Sequence, residues 1–152
     1  MFDLERELDQ LRDALASRDI PYALCGGLAM AVHGSPRSTV DIDLFIRPED
    51  YERVERVARE RSFTIVAMPM TFSSGQMQIR RISKIHPDDG EVLMLDLLLV
   101  TPSTEQVWAT REKMVWRERD LYVVSKPGLI VLKTFRSSAQ DLADIEKLRT
   151  QS

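Results

Sequence analysis

The sequence predicts an α/β chain in which strands and amphipathic helices alternate. Three observations carry this. Leu4, Leu8, Leu11 and Leu15 recur at helical spacing across residues 3–18 with charges between them, as in a helix laid over a sheet. Asp41-Ile42-Asp43-Leu44-Phe45-Ile46 places its first carboxylates and its aliphatic side chains at a period of 2, which is a strand. Residues 92–100 are apolar except for Asp96, and the turn His86-Pro87-Asp88-Asp89-Gly90 joins them to an earlier run, Met77–Ile85. That pattern is a hairpin whose second member is a central strand covered on both faces.

The remaining elements follow in order. Ile20 to Cys25 reads as the first strand and Gly27 to His33 as a short helix. Val40 to Ile46 is the second strand. Pro48 with Glu49 and Asp50 opens a helix that runs to about Arg61, with Tyr51, Val54, Val57 and Ala58 as its inner stripe. Phe63 to Met68 reads as a strand and Pro69 to Gly75 as a loop. Thr101-Pro102 starts a short helix to about Ala109. Lys113–Arg117 and Leu121–Val124 form a small hairpin. A helical pair closes the chain, Leu129 to Phe135 and Ser138 to about Leu148.

Length and composition bound the function. The 152 residues suggest one domain, 1–152, with 43% hydrophobic and 30% charged residues. The net charge of −3 offers no overall basic field for nucleic acid. Cys25 is the one cysteine, so no internal disulfide forms and a reducing, cytoplasmic setting is expected. The stretch MFDLERELDQL is charged and amphipathic rather than a signal peptide, and no apolar run reaches membrane-spanning length.

The chemistry concentrates between Pro21 and Arg47. On a strand, Asp41 and Asp43 point to one face while Ile42 and Leu44 point to the other. Two carboxylates together repel one another, and a cation between them relieves this. Oxygen ligands with open positions suit Mg²⁺, which takes one or two protein carboxylates and fills its shell with water and phosphate. Gly26-Gly27, between a strand and a helix, allows close backbone approach and turns amide N–H groups toward an anion. Phosphates at the glycines and metal at the aspartates make a nucleoside triphosphate site. Asp96, alone among eight apolar residues, is either a structural carboxylate bonded to a nearby arginine or to backbone amides, or a third metal ligand. A third carboxylate on an adjacent strand completes a clamp for two Mg²⁺ ions, the arrangement that stabilises both oxygens of an in-line displacement at phosphorus.

Gly26-Gly27, thirteen residues from 28 to 40, then Asp41-Ile42-Asp43-Leu44 resembles the defining motif of the polymerase-β-like nucleotidyltransferase superfamily. Gly26-Gly27-Leu28-Ala29, His33-Gly34, Arg37, Thr39 and Asp41-Ile42-Asp43 resemble the first motif of AbiEii-type nucleotidyltransferases, many of them toxins of toxin–antitoxin systems. Leu132-Lys133-Thr134-Phe135-Arg136 with Gln140-Asp141-Leu142-Ala143-Asp144-Ile145 resembles a later run of the same families, with Gln140 where a lysine is common. The resemblance covers about residues 20–148. It implies a mixed β-sheet backed by helices, with ATP or another NTP and Mg²⁺ as donor and cofactor. It also implies transfer of a nucleoside monophosphate to an acceptor hydroxyl on RNA or protein, with a cognate antitoxin or a second copy of the chain as partner. Asp41 and Asp43 then bind the metals. Asp96 joins one of them and acts as base, Gly26 and Gly27 hold the triphosphate, and Lys133 reaches the phosphates or base. The aminoglycoside and lincosamide nucleotidyltransferases share this core, so a small-molecule acceptor is a second reading. A non-catalytic nucleotide-binding or antitoxin-like module is a third, and the presence of all three carboxylates argues against it.

Several of these residues carry a plainer alternative. Lys133 and Arg136 share a helical stripe that suits a triphosphate or equally a pairing with Asp141 or Asp144. Ser138-Ala139-Gln140-Asp141 is a capping-box pattern, which assigns Asp141 to the helix start. Arg37 reads as a γ-phosphate or acceptor contact, against a solvated turn. Arg80, Arg81 and Lys84 lie on one hairpin strand as a solvated face, with an RNA backbone contact as the sharper reading. His33 reads as a packing or capping residue, His86 as exposed, and Cys25 as a small core residue.

Overall fold

The computed structural model describes residues 1–150. Fourteen helices and strands follow one another. These are α1 (Leu4–Ser17), β1 (Ala23–Cys25), α2 (Gly26–Val32), β2 (Asp41–Ile46), α3 (Tyr51–Glu60), β3 (Ile65–Val66) and β4 (Met70–Phe72). Then come β5 (Met77–Ile85), β6 (Val92–Leu99), α4 (Glu105–Ala109), β7 (Glu112–Trp116), β8 (Arg119–Val123), α5 (Lys126–Arg136) and α6 (Ala139–Thr150). The strands form one sheet in the order β3-β5-β6-β2-β1-β8-β7, with β4 also on β5. It is mixed: β2–β6 and β1–β8 are parallel and the other pairs antiparallel.

Cross-strand partners share a face, so the register sorts the sheet. One face carries Ile42, Leu44 and Ile46 of β2, Leu95 and Leu97 of β6 and Ile82 of β5, all buried. α1 and α3 cover it. Leu8, Leu11 and Leu15 of α1 and Val54, Val57 and Ala58 of α3 are buried there. Lys84, on the same face, pairs with Glu7 of α1 and donates to the Arg61 carbonyl just after α3. Burying an aliphatic side chain of this kind contributes about 1.5–3 kcal/mol, so these two helices hold β2 from behind.

The other face carries Asp41, Asp43 and Phe45 of β2, Met94, Asp96 and Leu98 of β6, and Arg81 and Ile79 of β5. α4 and α5 cover the apolar end of it. Trp108 packs edge-on against Phe45 at 5.7 Å between ring centroids, and Leu129 and Leu132 are buried beside Leu98 and Met77.

The structure shifts some expected boundaries. The first strand shrinks to Ala23–Cys25, since Pro21 has no N–H to give and Asp19 is left-handed at φ 53°. Residues 63–68 supply only Ile65–Val66, because Phe63 turns back as part of the α3 end, its N–H on the Ala58 carbonyl. The expected loop 69–75 contains β4, where Met70, Thr71 and Phe72 pair with Ile79, Gln78 and Met77, followed by a 3₁₀ turn at Ser73–Gly75. Met70 and Phe72 alternate inward against the core, a strand pattern too short to stand out in the sequence. α5 starts earlier than expected. Ser125 caps it by accepting from the Gly128 amide, and Pro127 sits in the first turn where no N–H is needed.

Candidate active site

β1 runs antiparallel to β2 with Cys25 opposite Asp43, and β6 runs parallel with Asp96 on Asp43's other side. Asp43 is therefore flanked on both neighbouring strands within one row. Past Cys25 the chain bends at Gly26, φ +68°, directly into α2. A Cβ on Gly26 would lie 2.1 Å from Asp43 Oδ2, and one on Gly27 would lie 2.7 Å from Thr39 Oγ1 and 3.0 Å from Arg37 Nη1. Both glycines are required by close approach, and Gly26 also by its left-handed backbone. Cys25 is fully buried, and burial pushes its thiol well above the usual value, so it is inert packing as expected.

The carboxylates are electrostatically poised. Burial first, and then the negative charge of Asp96, push Asp43 up to about 7, against the opposing pull of Arg136. Asp41, half-buried, is raised by the same two causes, with Arg81 the largest opposing charge. Its Oδ1 is buried and has no hydrogen-bond partner. Such an orphaned carboxylate oxygen is costly unless a cation or donor reaches it.

Asp96 has a partner. Arg81, its register neighbour on β5, donates Nε to Oδ1 at 2.7 Å and Nη2 to Oδ2 at 2.9 Å. Among the described residues, no three His, Cys, Asp or Glu side chains converge as a finished metal shell. The hard oxygen donors of Asp41 and Asp43 still fit a divalent cation, with one oxygen already stripped of water and unsatisfied.

The cations of the C-terminal pair are built into a buried network. Lys133, 4% exposed, donates to Asp144 Oδ2 at 2.8 Å and lies 3.9 Å from Asp141 Oδ1. Arg37 grips Asp144 through Nε and Nη2, both at 2.9 Å, and the Gln140 amide adds a further contact. Arg136 grips Asp141 through Nε at 2.8 Å and Nη2 at 2.9 Å, while Ser138 donates its amide and hydroxyl to the same carboxylate. Asp141 thus serves the helix start, in the capping-box geometry its spacing suggested, and is also the counter-ion of Arg136. Burial works against ionisation of both aspartates, but these hydrogen bonds outweigh it and hold both below the usual carboxylate range. The Asp141 carboxylate in turn raises Arg136.

A small cleft of about 20 Å³ joins the two parts, lined by Gly26, Asp43, Met77, Lys133, Arg136 and Asp141 among others. Four residues singled out from the sequence, Gly26, Asp43, Lys133 and Arg136, meet in that one cleft. Arg37 lies behind Gly27 rather than in a solvated turn, and its guanidinium is committed to Asp144. A larger cavity, about 450 Å³, lies between the end of α1 and β8, lined by Tyr22, Arg111, Asp120 and Tyr122 among others and by none of Asp41, Asp43 and Asp96. His33, which ends α2, ties it to the end of β8, with Nε2 2.8 Å from the Val124 carbonyl oxygen. His86 is not exposed as expected, because Phe2 packs edge-on against it.

Residues 9–100 match the family model described as "Nucleotidyl transferase AbiEii toxin, Type IV TA system". The chain belongs to the AbiEii nucleotidyltransferase family. It is a nucleotidyltransferase by that membership, and the match spans the glycine pair and all three carboxylates. Solved structures share the fold. ANT(2")-Ia, solved in complex with adenylyl-2"-tobramycin, is 13% identical over 95% of this chain and 87% of its own, with a TM-score of 0.66. The lincosamide antibiotic adenylyltransferase LnuA, solved with lincomycin, is 14% identical over 97% and 98%, with a TM-score of 0.61. A Thermotoga maritima protein is 20% identical over 99% and 92%, with a TM-score of 0.57. No curated protein matches the sequence. No helix among the described residues is long and apolar enough to cross a membrane.

Proposed function

We propose that this AbiEii-family chain transfers a nucleoside monophosphate from a Mg²⁺-bound NTP to a hydroxyl on RNA or protein, and acts as the toxin of a toxin–antitoxin pair. The observation that carries the catalytic part is the orphaned, buried Oδ1 of Asp41 beside a buried Asp43 on one strand face. Asp41 and Asp43, with Asp96, are the residues that would hold divalent ions, which when bound neutralise charge on the attacking and leaving oxygens.

The chain's own residues supply the rest. The acceptor hydroxyl attacks the α-phosphorus, the α–β bridging bond breaks and pyrophosphate leaves, so the nucleoside monophosphate ends on the acceptor. Asp96 takes the hydroxyl proton. The backbone at Gly26 and Gly27, where no Cβ fits, is the cradle for the triphosphate. Lys133 and Arg136 present positive charge to it from the floor of the cleft, and Arg37 braces that floor through Asp144.

A macromolecular acceptor fits the relief of the site. Small molecules bind in concave pockets of several hundred Å³, whereas the cleft at Asp43 is about 20 Å³ and the 450 Å³ cavity contains none of Asp41, Asp43 and Asp96. Beyond the carboxylate row, the sheet presents Met94, Val92 and Ile85 on an open, partly exposed surface where a large acceptor can lie.

The test is a transfer assay with Mg²⁺ and each α-labelled NTP in turn, offered total RNA or cell protein, beside Asp43→Asn. Label in RNA or in a protein band with wild type alone supports the reading and names the acceptor. Label in neither pool, with transfer to a small hydroxylated antibiotic instead, replaces it with the small-molecule reading.

A further inference from the structure

Both oxygens of Asp96 are occupied, although the proposed function needs one of them for a cation. The occupant is Arg81, whose two hydrogen bonds at 2.7 and 2.9 Å form a planar fork on the carboxylate. The register Arg81–Asp96–Asp43 puts the guanidinium and the two carboxylates in one row across three adjacent strands. The two partners differ in freedom. The Asp96 side chain is 2% exposed, on the central strand β6, while Arg81 is 31% exposed, on β5. A buried carboxylate on a central strand has nowhere to turn. An arginine with a third of its side chain in water can swing outward on its flexible stem.

We infer that Arg81 is a gate on the metal site: it holds both Asp96 oxygens when no cation is bound, and swings away to surrender one when a divalent ion is taken up at the carboxylate row. This rests on the reading of Asp41, Asp43 and Asp96 as metal ligands. Physically, Arg81 is the internal counter-ion that keeps a buried carboxylate satisfied in the empty enzyme. It positions Asp96 with its plane fixed by the fork. The arginine is therefore a competitor of the cation, and it sets how tightly the site loads. Nothing in the sequence sets Arg81 apart from Arg80 beside it. Only the hairpin register does, and the side chain of Arg80 points to the opposite face.

The experiment is binding of Mn²⁺ alone to the purified full chain, followed by electron paramagnetic resonance of the free ion. It compares wild type, Arg81→Met, Arg81→Lys, Asp96→Asn and the Arg81→Met/Asp96→Asn double variant, with circular dichroism to show each is folded. Removing the competitor should tighten Mn²⁺ by on the order of tenfold in Arg81→Met, the scale on which outer-shell partners tune metal sites. Arg81→Lys, which keeps the charge but loses the fork, should gain less and covers the case in which Arg81→Met does not fold. The gain should vanish when Asp96 is also replaced. Wild-type binding that is unchanged or weakened in the folded Arg81 variants overturns the gate. So does a gain that persists without Asp96, since that is plain charge removal. Failure of wild type to bind Mn²⁺ overturns the metal reading itself, and the gate with it.

Discussion

Gly26 and Asp43 are in contact so close that no side chain fits between them: a Cβ at position 26 would stand 2.1 Å from Asp43 Oδ2. The backbone turn that starts α2 is thereby locked to the strand that carries the carboxylates. Gly26→Ala must push Asp43 aside and adopt a left-handed backbone at φ +68°, a cost of about 1–2 kcal/mol for the backbone alone. We expect a melting temperature several degrees lower and loss of nucleotide transfer of at least about 100-fold, since a displacement of about 1 Å at a reacting centre has that effect. Thermal melting and transfer rates of the variant check it.

Asp43 links pH to stability. Its carboxyl is raised in the folded chain from 3.8 to about 7, so between those values the folded protein holds a proton that the unfolded chain has lost. Stability of the metal-free protein therefore falls as pH rises through that window and stays low above it. Asp43→Asn removes a penalty of up to about 4 kcal/mol at pH 8. The metal-free variant should melt higher than wild type at pH 8 and show little difference at pH 4, while losing activity. Melting curves with a chelator at the two pH values decide the point.

The Asp144 carboxylate holds Arg37, Lys133 and Gln140 together from three parts of the chain. Asp144→Asn leaves Lys133 as a buried charge with a weaker partner, and breaking a buried pair in this way costs roughly 3–5 kcal/mol. Urea unfolding should show that loss. Asp144→Glu should be the milder change, because it keeps the charge.

Acid should release the C-terminal pair. Asp141 and Asp144 are held below their ordinary value of 3.8, so the stability they contribute is complete above about pH 4 and lost as pH falls through their lowered values. Far-ultraviolet circular dichroism should register loss of α6 helix below pH 4. Asp141→Asn should shift that loss toward neutral pH.

Local signals in the sequence were sufficient for most of this architecture. The hairpin Met77–Ile85 with Val92–Leu99 lies where its turn residues and apolar run put it, and so do the strand at Asp41 and the amphipathic α1. Each is set by a pattern within ten or so residues. β4 escaped because three residues give too short an alternation to read. The candidate site was legible where chemistry sits in one stretch, as in Gly26-Gly27 and Asp41-Ile42-Asp43. It was illegible where partners are remote. Arg37 and Asp144 meet across 107 positions, and no local pattern announces that. Arg81 is the intermediate case. Counting back through the turn from Ile85 opposite Val92 places it opposite Asp96, so the register was the available signal.

Label transfer from α- and γ-labelled NTP, run in parallel with Mg²⁺ and acceptor, shows whether the carboxylate row carries nucleotidyl transfer. Nucleotidyl transfer at that row gives incorporation from the α-label only, with labelled pyrophosphate released from the γ-label and neither product formed by Asp43→Asn. Incorporation from the γ-label, or full activity in Asp43→Asn, would contradict it.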